Sequence, residues 1–145
     1  MILAAVDDLM FASKISTAAR QLGIDVVFSR SSDEVLHQAR TLRPQLAIFD
    51  LNSRRTDPLA TIAALKADSE LAGVRTIGFV SHVQTEVIDA ARRAGVDEVL
   101  ARSAFSARLG EILRSQLGIS EAARSTLRQR SQRARRTEEP TSRAG

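Results

Sequence analysis

The chain has 145 residues, 43% hydrophobic and 26% charged, a globular balance that fits one domain of ordinary size and needs no covalent staple to fold. It contains no cysteine, which excludes disulfides, thiolate metal centres, thiol nucleophiles and cysteine-attached haem. The net charge of +4 is unevenly placed: residues 1–119 carry 14 basic and 14 acidic side chains, whereas 120–145 carry seven Arg against three Glu.

No apolar run reaches the roughly 18–20 residues of a membrane span. The start, Met1 to Asp8, lacks the basic n-region of a signal peptide and meets two acids after five apolar residues. A cytoplasmic setting is therefore expected.

Ile2–Val6 is an apolar run that ends at Asp7-Asp8 and predicts a strand. Ile15, Ala18, Ala19 and Leu22 recur at helical spacing and predict a helix over Ser13–Leu22, stopped by Gly23. Ile24–Phe28 predicts a second strand. Ser31-Ser32-Asp33-Glu34 has the composition of a helix N-terminus, and Val35, Leu36, Ala39 and Leu42 give that helix an apolar stripe until Pro44. Leu46–Phe49 predicts a third strand ending at Asp50, followed by a polar loop over 51–57. Pro58 opens a helix with Leu59, Ile62, Ala63 and Leu65 inward. Thr76–Val80 predicts a fourth strand, Thr85–Ala94 a helix stopped by Gly95, and Val96–Leu100 a fifth strand. Phe105, Leu109, Ile112, Leu113 and Leu117 stripe a last helix.

The pattern is (βα)5. Its near-continuous apolar strands are those of a parallel sheet covered by helices on both faces, an α/β doubly wound architecture. The Arg-rich stretch 120–145 holds too few apolar residues to bury a core of its own, so the domain boundary is placed near 119, with the tail a helical extension or disordered.

In an open α/β sheet, ligands bind beyond the carboxyl ends of the strands. Here those ends supply Asp7 and Asp8, then Asp50, then Ser81, and after the fifth strand Arg102. Clustered carboxylates repel, and a hard divalent ion such as Mg²⁺ relieves the repulsion. An aspartate beside such an ion can attack a phosphoryl group, while the hydroxyl and the cation share the charge of the phosphoryl oxygens.

Over about residues 1–118 the chain resembles the receiver domains of bacterial two-component response regulators. Asp7-Asp8 resembles the acidic pair after the first strand, Asp50 in Ile48-Phe49-Asp50-Leu51-Asn52 the phosphoacceptor, and Ser81 in Phe79-Val80-Ser81 the hydroxyl after the fourth strand. The resemblance implies a flavodoxin-like strand order 2-1-3-4-5. It also implies Mg²⁺ bound by Asp8 directly, by Asp7 through water, by Asp50, and by the backbone carbonyl of Asn52, with Ser81 and Arg102 beside the phosphoryl group.

Several positions depart from the family pattern. Its Lys-Pro after the fifth strand is Arg102-Ser103, and the aromatic of that strand is Val99. The residue after the hydroxyl is His82, and Arg54-Arg55 brings charge into the loop after Asp50. Without the proline a trans peptide is expected at this loop. The acceptor half of the site is intact and the readout half altered, as in an atypical or pseudo-receiver.

Plainer roles stay open beside these. Asp7-Asp8 suits a helix cap, Asp50 a turn, Ser81 the cap of the helix that follows, and Arg102 an ion pair with Glu98 or another acid. His82 suits a rim position and His37 a solvated helix face.

The expected function is a single-domain receiver-like signalling protein of phosphorelay type. It takes a phosphoryl group on Asp50 from a histidine kinase or phosphotransfer protein and acts through contacts with a downstream protein. It is no enzyme beyond self-phosphorylation and dephosphorylation on Asp. The alternatives are a phosphorylation-independent interaction module, or a nucleic-acid-binding accessory using the Arg-rich tail. The latter is disfavoured because the tail has no aromatic stacking partners. A homodimer through the fourth and fifth helices is left open.

Overall fold

The computed structural model describes residues 1–81 and 84–115. His82, the boundary near 119 and the Arg-rich stretch 120–145 lie outside the described residues. Among the described residues no helix is long and apolar enough to cross a membrane.

Among the described residues ten elements alternate: β1 (Ile2–Ala5), α1 (Leu9–Gln21), β2 (Val26–Phe28), α2 (Ser32–Leu42), β3 (Leu46–Asp50), α3 (Pro58–Ala67), β4 (Arg75–Val80), α4 (Thr85–Ala94), β5 (Glu98–Ala101) and α5 (Arg102–Ala107). Every strand pair is parallel and the order is β2-β1-β3-β4-β5, as expected. The inner strands β1 and β3 are buried throughout, and β4 is buried from Thr76 onward, because helices cover both their faces. The edge strands β2 and β5 are only half-buried.

Alternation along the strands sorts the core into two layers. Ile2, Ala4, Ile48, Ile77 and Phe79 face Phe11, Ile15 and Ala19 of α1 and Phe105 of α5. Leu3, Ala5, Ala47, Phe49 and Val80 face Val35 and Ala39 of α2, Ile62 and Leu65 of α3, and Ala91 of α4. In the first layer the rings of Phe11, Phe79 and Phe105 meet. Their centroids are 4.7 Å apart for Phe11–Phe79, 4.9 Å for Phe79–Phe105 and 5.7 Å for Phe11–Phe105.

The structure moves several boundaries. α1 begins at Leu9 rather than Ser13, because Asp8 caps it. Leu9 and Met10 in its first turn are 70% and 85% exposed, so they add nothing to the apolar stripe that marks the rest. β2 begins at Val26 rather than Ile24, and β5 spans Glu98–Ala101 rather than Val96–Leu100. α5 starts at Arg102, ahead of the apolar stripe that begins at Phe105. It is interrupted at Arg108 and resumes over residues 109–115. The described backbone has no cis peptide, as expected for the loop that lacks its proline.

At the amino edge of the sheet, Lys66 ties α3 to the ends of β4 and β5. Its ammonium donates to the carbonyls of Ala72 and Val74 and to Asp97. Asp97 in turn accepts from the amide and hydroxyl of Thr76. The opposite, carboxyl edge is left for the acidic residues.

Candidate functional site

Strand register decides which residues share the carboxyl edge. Ala5 pairs with Phe49, Asp50 with Phe79, and Val80 with Ala101. Asp7-Asp8, Asp50, Ser81 and Arg102 therefore emerge side by side, as the sequence predicts. The edge lies where β1 and β3 are neighbours while their following connections run to opposite faces, the crevice of a doubly wound sheet.

Asp50 ends β3 with 8% of its surface exposed. One carboxylate oxygen, Oδ1, accepts the amide of Asn52 at 3.0 Å, and the Asp50 carbonyl accepts the amide of Ser53 at 3.0 Å. The side chain is thus fixed by its own turn. Burial pushes its carboxyl above the ordinary carboxylate value, and the charges of Asp7 and Asp8 act in the same direction. The Asn52 amide and Arg102 offset part of this.

Asn52, expected to act through its backbone carbonyl, makes a bond with its side chain. Its side-chain oxygen accepts the amide of Ser81 at 2.7 Å, linking the loop after β3 to the end of β4. Ser81 itself is exposed and shares an open cleft with Phe11, Lys14, Arg102, Ser103 and Ser106. Lys14 donates to the hydroxyl of Ser106 on the wall of that cleft.

Asp8 has a different set of neighbours from Asp50. Its Oδ1 accepts the amides of Met10 at 2.9 Å and Phe11 at 3.1 Å, capping α1. Its Oδ2 accepts Nη2 of Arg102 at 2.7 Å. That bond, with the Phe11 and Met10 amides, holds the Asp8 carboxyl below its ordinary value. The guanidinium also lies 4.5 Å from the centroid of the Phe11 ring. Glu98, the other acid considered for Arg102, is paired with Arg75 and Arg108 instead.

Asp7 turns toward the loop after β3, where its Oδ2 accepts the hydroxyl of Ser53 at 3.0 Å. Ser53 and Phe11 are site residues that the sequence reading missed. Ser53 stands three residues after the acceptor in a polar loop, a signal that was available. Phe11 carries no signal, since a ring in a helix reads as core. Arg55 and Arg30 line a shallow cleft with Asp7 and Leu9, which places one of the two loop arginines beside the acidic pair.

The donors expected for Mg²⁺ are of the right chemical type and on the right edge, near enough for Asp7 and Asp8 to raise the Asp50 carboxyl, but each is already engaged by a partner within the chain. Asp8 has both oxygens engaged, Asp7 faces Ser53, and Asp50 is held by Asn52. Among the described residues no three acidic or histidine side chains are close enough together to hold a metal ion. A divalent ion entering this edge would have to displace Arg102 from Asp8 and Ser53 from Asp7.

No protein-family profile and no curated protein sequence matches the chain. Solved structures do. The phosphorylated cyanobacterial phytochrome response regulator RcpA is 22% identical with a TM-score of 0.67, over 79% of this chain and 88% of that one. A response regulator from Hahella chejuensis is 16% identical with a TM-score of 0.72, over 80% and 93%. A response regulator solved with bound Mn²⁺ is 16% identical with a TM-score of 0.67, over 77% and 89%. The fold of this chain is that of response-regulator receiver domains.

Proposed function

We propose that the chain is a receiver-type signalling protein in which Asp50 accepts a phosphoryl group from a histidine kinase or phosphotransfer protein, and that the change is read by a protein partner. The observation that carries this reading is Asp50 itself: a carboxylate buried at the end of β3 with Oδ1 pinned by the Asn52 amide. Its other oxygen makes no hydrogen bond among those described and is the natural nucleophile toward phosphorus. Ser81 and Arg102 stand on the same edge, where a hydroxyl and a cation would take up the charge of phosphoryl oxygens. Mg²⁺ enters this reading with the phosphodonor, because Asp7, Asp8 and Asp50 are each engaged by a partner within the chain. The chain's own chemistry would be limited to phosphorylation and dephosphorylation on Asp50, and its setting would be the cytoplasm.

Intact mass after incubation with acetyl phosphate, with and without Mg²⁺, tests the assignment beside an Asp50→Ala control. One added phosphoryl group that disappears in the control supports it. An addition that persists in the control, or none on the folded wild type, overturns it.

A second reading rests on the Asp8–Arg102 pair. A protein that pairs one acid of this edge with its own arginine would present the same surface, and bind its partner equally well, with and without a phosphodonor.

A further inference from the structure

We infer that Arg102 is a resident cation: it occupies Asp8 in place of a divalent ion and keeps the carboxyl edge of the sheet closed to metal.

The pair is built rather than incidental. Arg102 is the first residue of α5 and follows directly on β5, whose Ala101 is paired with Val80. The sheet therefore fixes where its side chain begins. The head group is then held by two different contacts, the 2.7 Å ion pair to Asp8 and the face of Phe11 at 4.5 Å. Phe11 cannot move aside easily, because it is buried against Phe79 and Phe105. A planar guanidinium can pair with a carboxylate and stack on a ring together, which a compact ammonium does less well. The residue type suits the seat.

Asp8 is equally constrained. Its Oδ1 serves the first turn of α1, so only Oδ2 remains for a cation, and Arg102 holds it. Asp7 is directed to Ser53 and Asp50 to Asn52. A divalent ion entering this edge must displace the guanidinium and leave it beside a second positive charge. It must also gather carboxylates that now face different partners.

This inference shares its site with the phosphoacceptor reading, but it is tested by metal affinity rather than by phosphorylation, so the two can fail separately. Mn²⁺ is titrated into the full chain and free Mn²⁺ is followed by electron paramagnetic resonance, for wild type, Arg102→Ala and the double variant Arg102→Ala/Asp8→Asn. Arg102→Ala is expected to bind Mn²⁺ about tenfold or more tightly than wild type, as when an opposing charge is lifted from a shared carboxylate. The gain should vanish in the double variant. Equal or weaker binding by Arg102→Ala overturns the inference. Arg102→Met serves if the alanine variant does not fold, since its stem still covers Phe11. The wild type provides an independent readout: its Tm should not respond to millimolar Mg²⁺, and a rise overturns the inference whatever the variants do.

Discussion

The side-chain oxygen of Asn52 accepts the backbone N–H of Ser81 at 2.7 Å, across 29 residues of sequence. Through this bond the loop after Asp50 and the end of β4 are mechanically one piece. Removing the acceptor leaves the Ser81 amide without its partner. Asn52→Ala is expected to cost about 1 kcal/mol and to lower Tm by a few degrees. Hydrogen exchange at the Ser81 amide is the direct check: it should accelerate in Asn52→Ala and stay slow in Asn52→Asp, which keeps an acceptor.

Asp50 links stability to pH. An acid whose folded pKa lies above its unfolded value binds more protons folded than unfolded in the window between the two. Stability therefore falls as pH rises from the ordinary carboxylate value of 3.8 to the raised one, and the penalty is complete above the raised one. Asp50→Asn removes the charge and keeps an oxygen for the Asn52 amide. The variant should melt higher than wild type at neutral pH, with the gap closing as the buffer is acidified towards 3.8. A gap independent of pH contradicts this assignment.

Gly78 pairs with Phe49 in the ladder and lies under Leu51, the residue after the acceptor. A Cβ at this position would stand 2.8 Å from Leu51 Cγ and Cδ1, and Leu51 is buried and cannot swing out. Gly78→Ala should therefore destabilise by about 1–3 kcal/mol through overpacking. In urea titrations the double variant Gly78→Ala/Leu51→Ala should lose less than the sum of the two single changes, because each relieves the other.

Phe79 is fully buried between Phe11 and Phe105. Phe79→Ala should cost about 3–5 kcal/mol. It should also loosen the ring on which Arg102 rests, so Mn²⁺ binding should strengthen in parallel, which a purely structural loss would not produce.

Much of this was legible from the chain alone, for identifiable reasons. Ile2–Val6 and Leu46–Phe49 read as strands because burial on both faces demands continuous apolar runs. Once the strands were placed, their carboxyl ends had to bring Asp7, Asp8, Asp50, Ser81 and Arg102 to one edge. The start of α1 was hidden because Leu9 and Met10 are apolar yet exposed, and because its real signal, Asp8, resembles a metal ligand as much as a cap. The start of α5 was hidden because Arg102, Ser103 and Ala104 precede the apolar stripe that begins at Phe105. Pairings within the site were not legible at all. Arg102 and Asp8 are 94 residues apart, and Ser53 and Asp7 are 46 apart. Only the folded distances decide that Arg102 prefers Asp8 over Glu98, or that Asn52 uses its side chain toward Ser81.

The three phenylalanines also bear on how the chain is made. Residues 11, 79 and 105 belong to the first helix, the fourth strand and the last helix, so their cluster joins early, middle and late segments. On the ribosome, strands up to β4 can emerge and begin to pair while one side of Phe79 is still uncovered. That face stays sticky until α5 clears the exit tunnel, and closure of this layer is then a contact of long sequence separation, the kind that forms late. Synthesis stalled before residue 105 would leave a nascent sheet with an open aromatic face, a natural target for a chaperone.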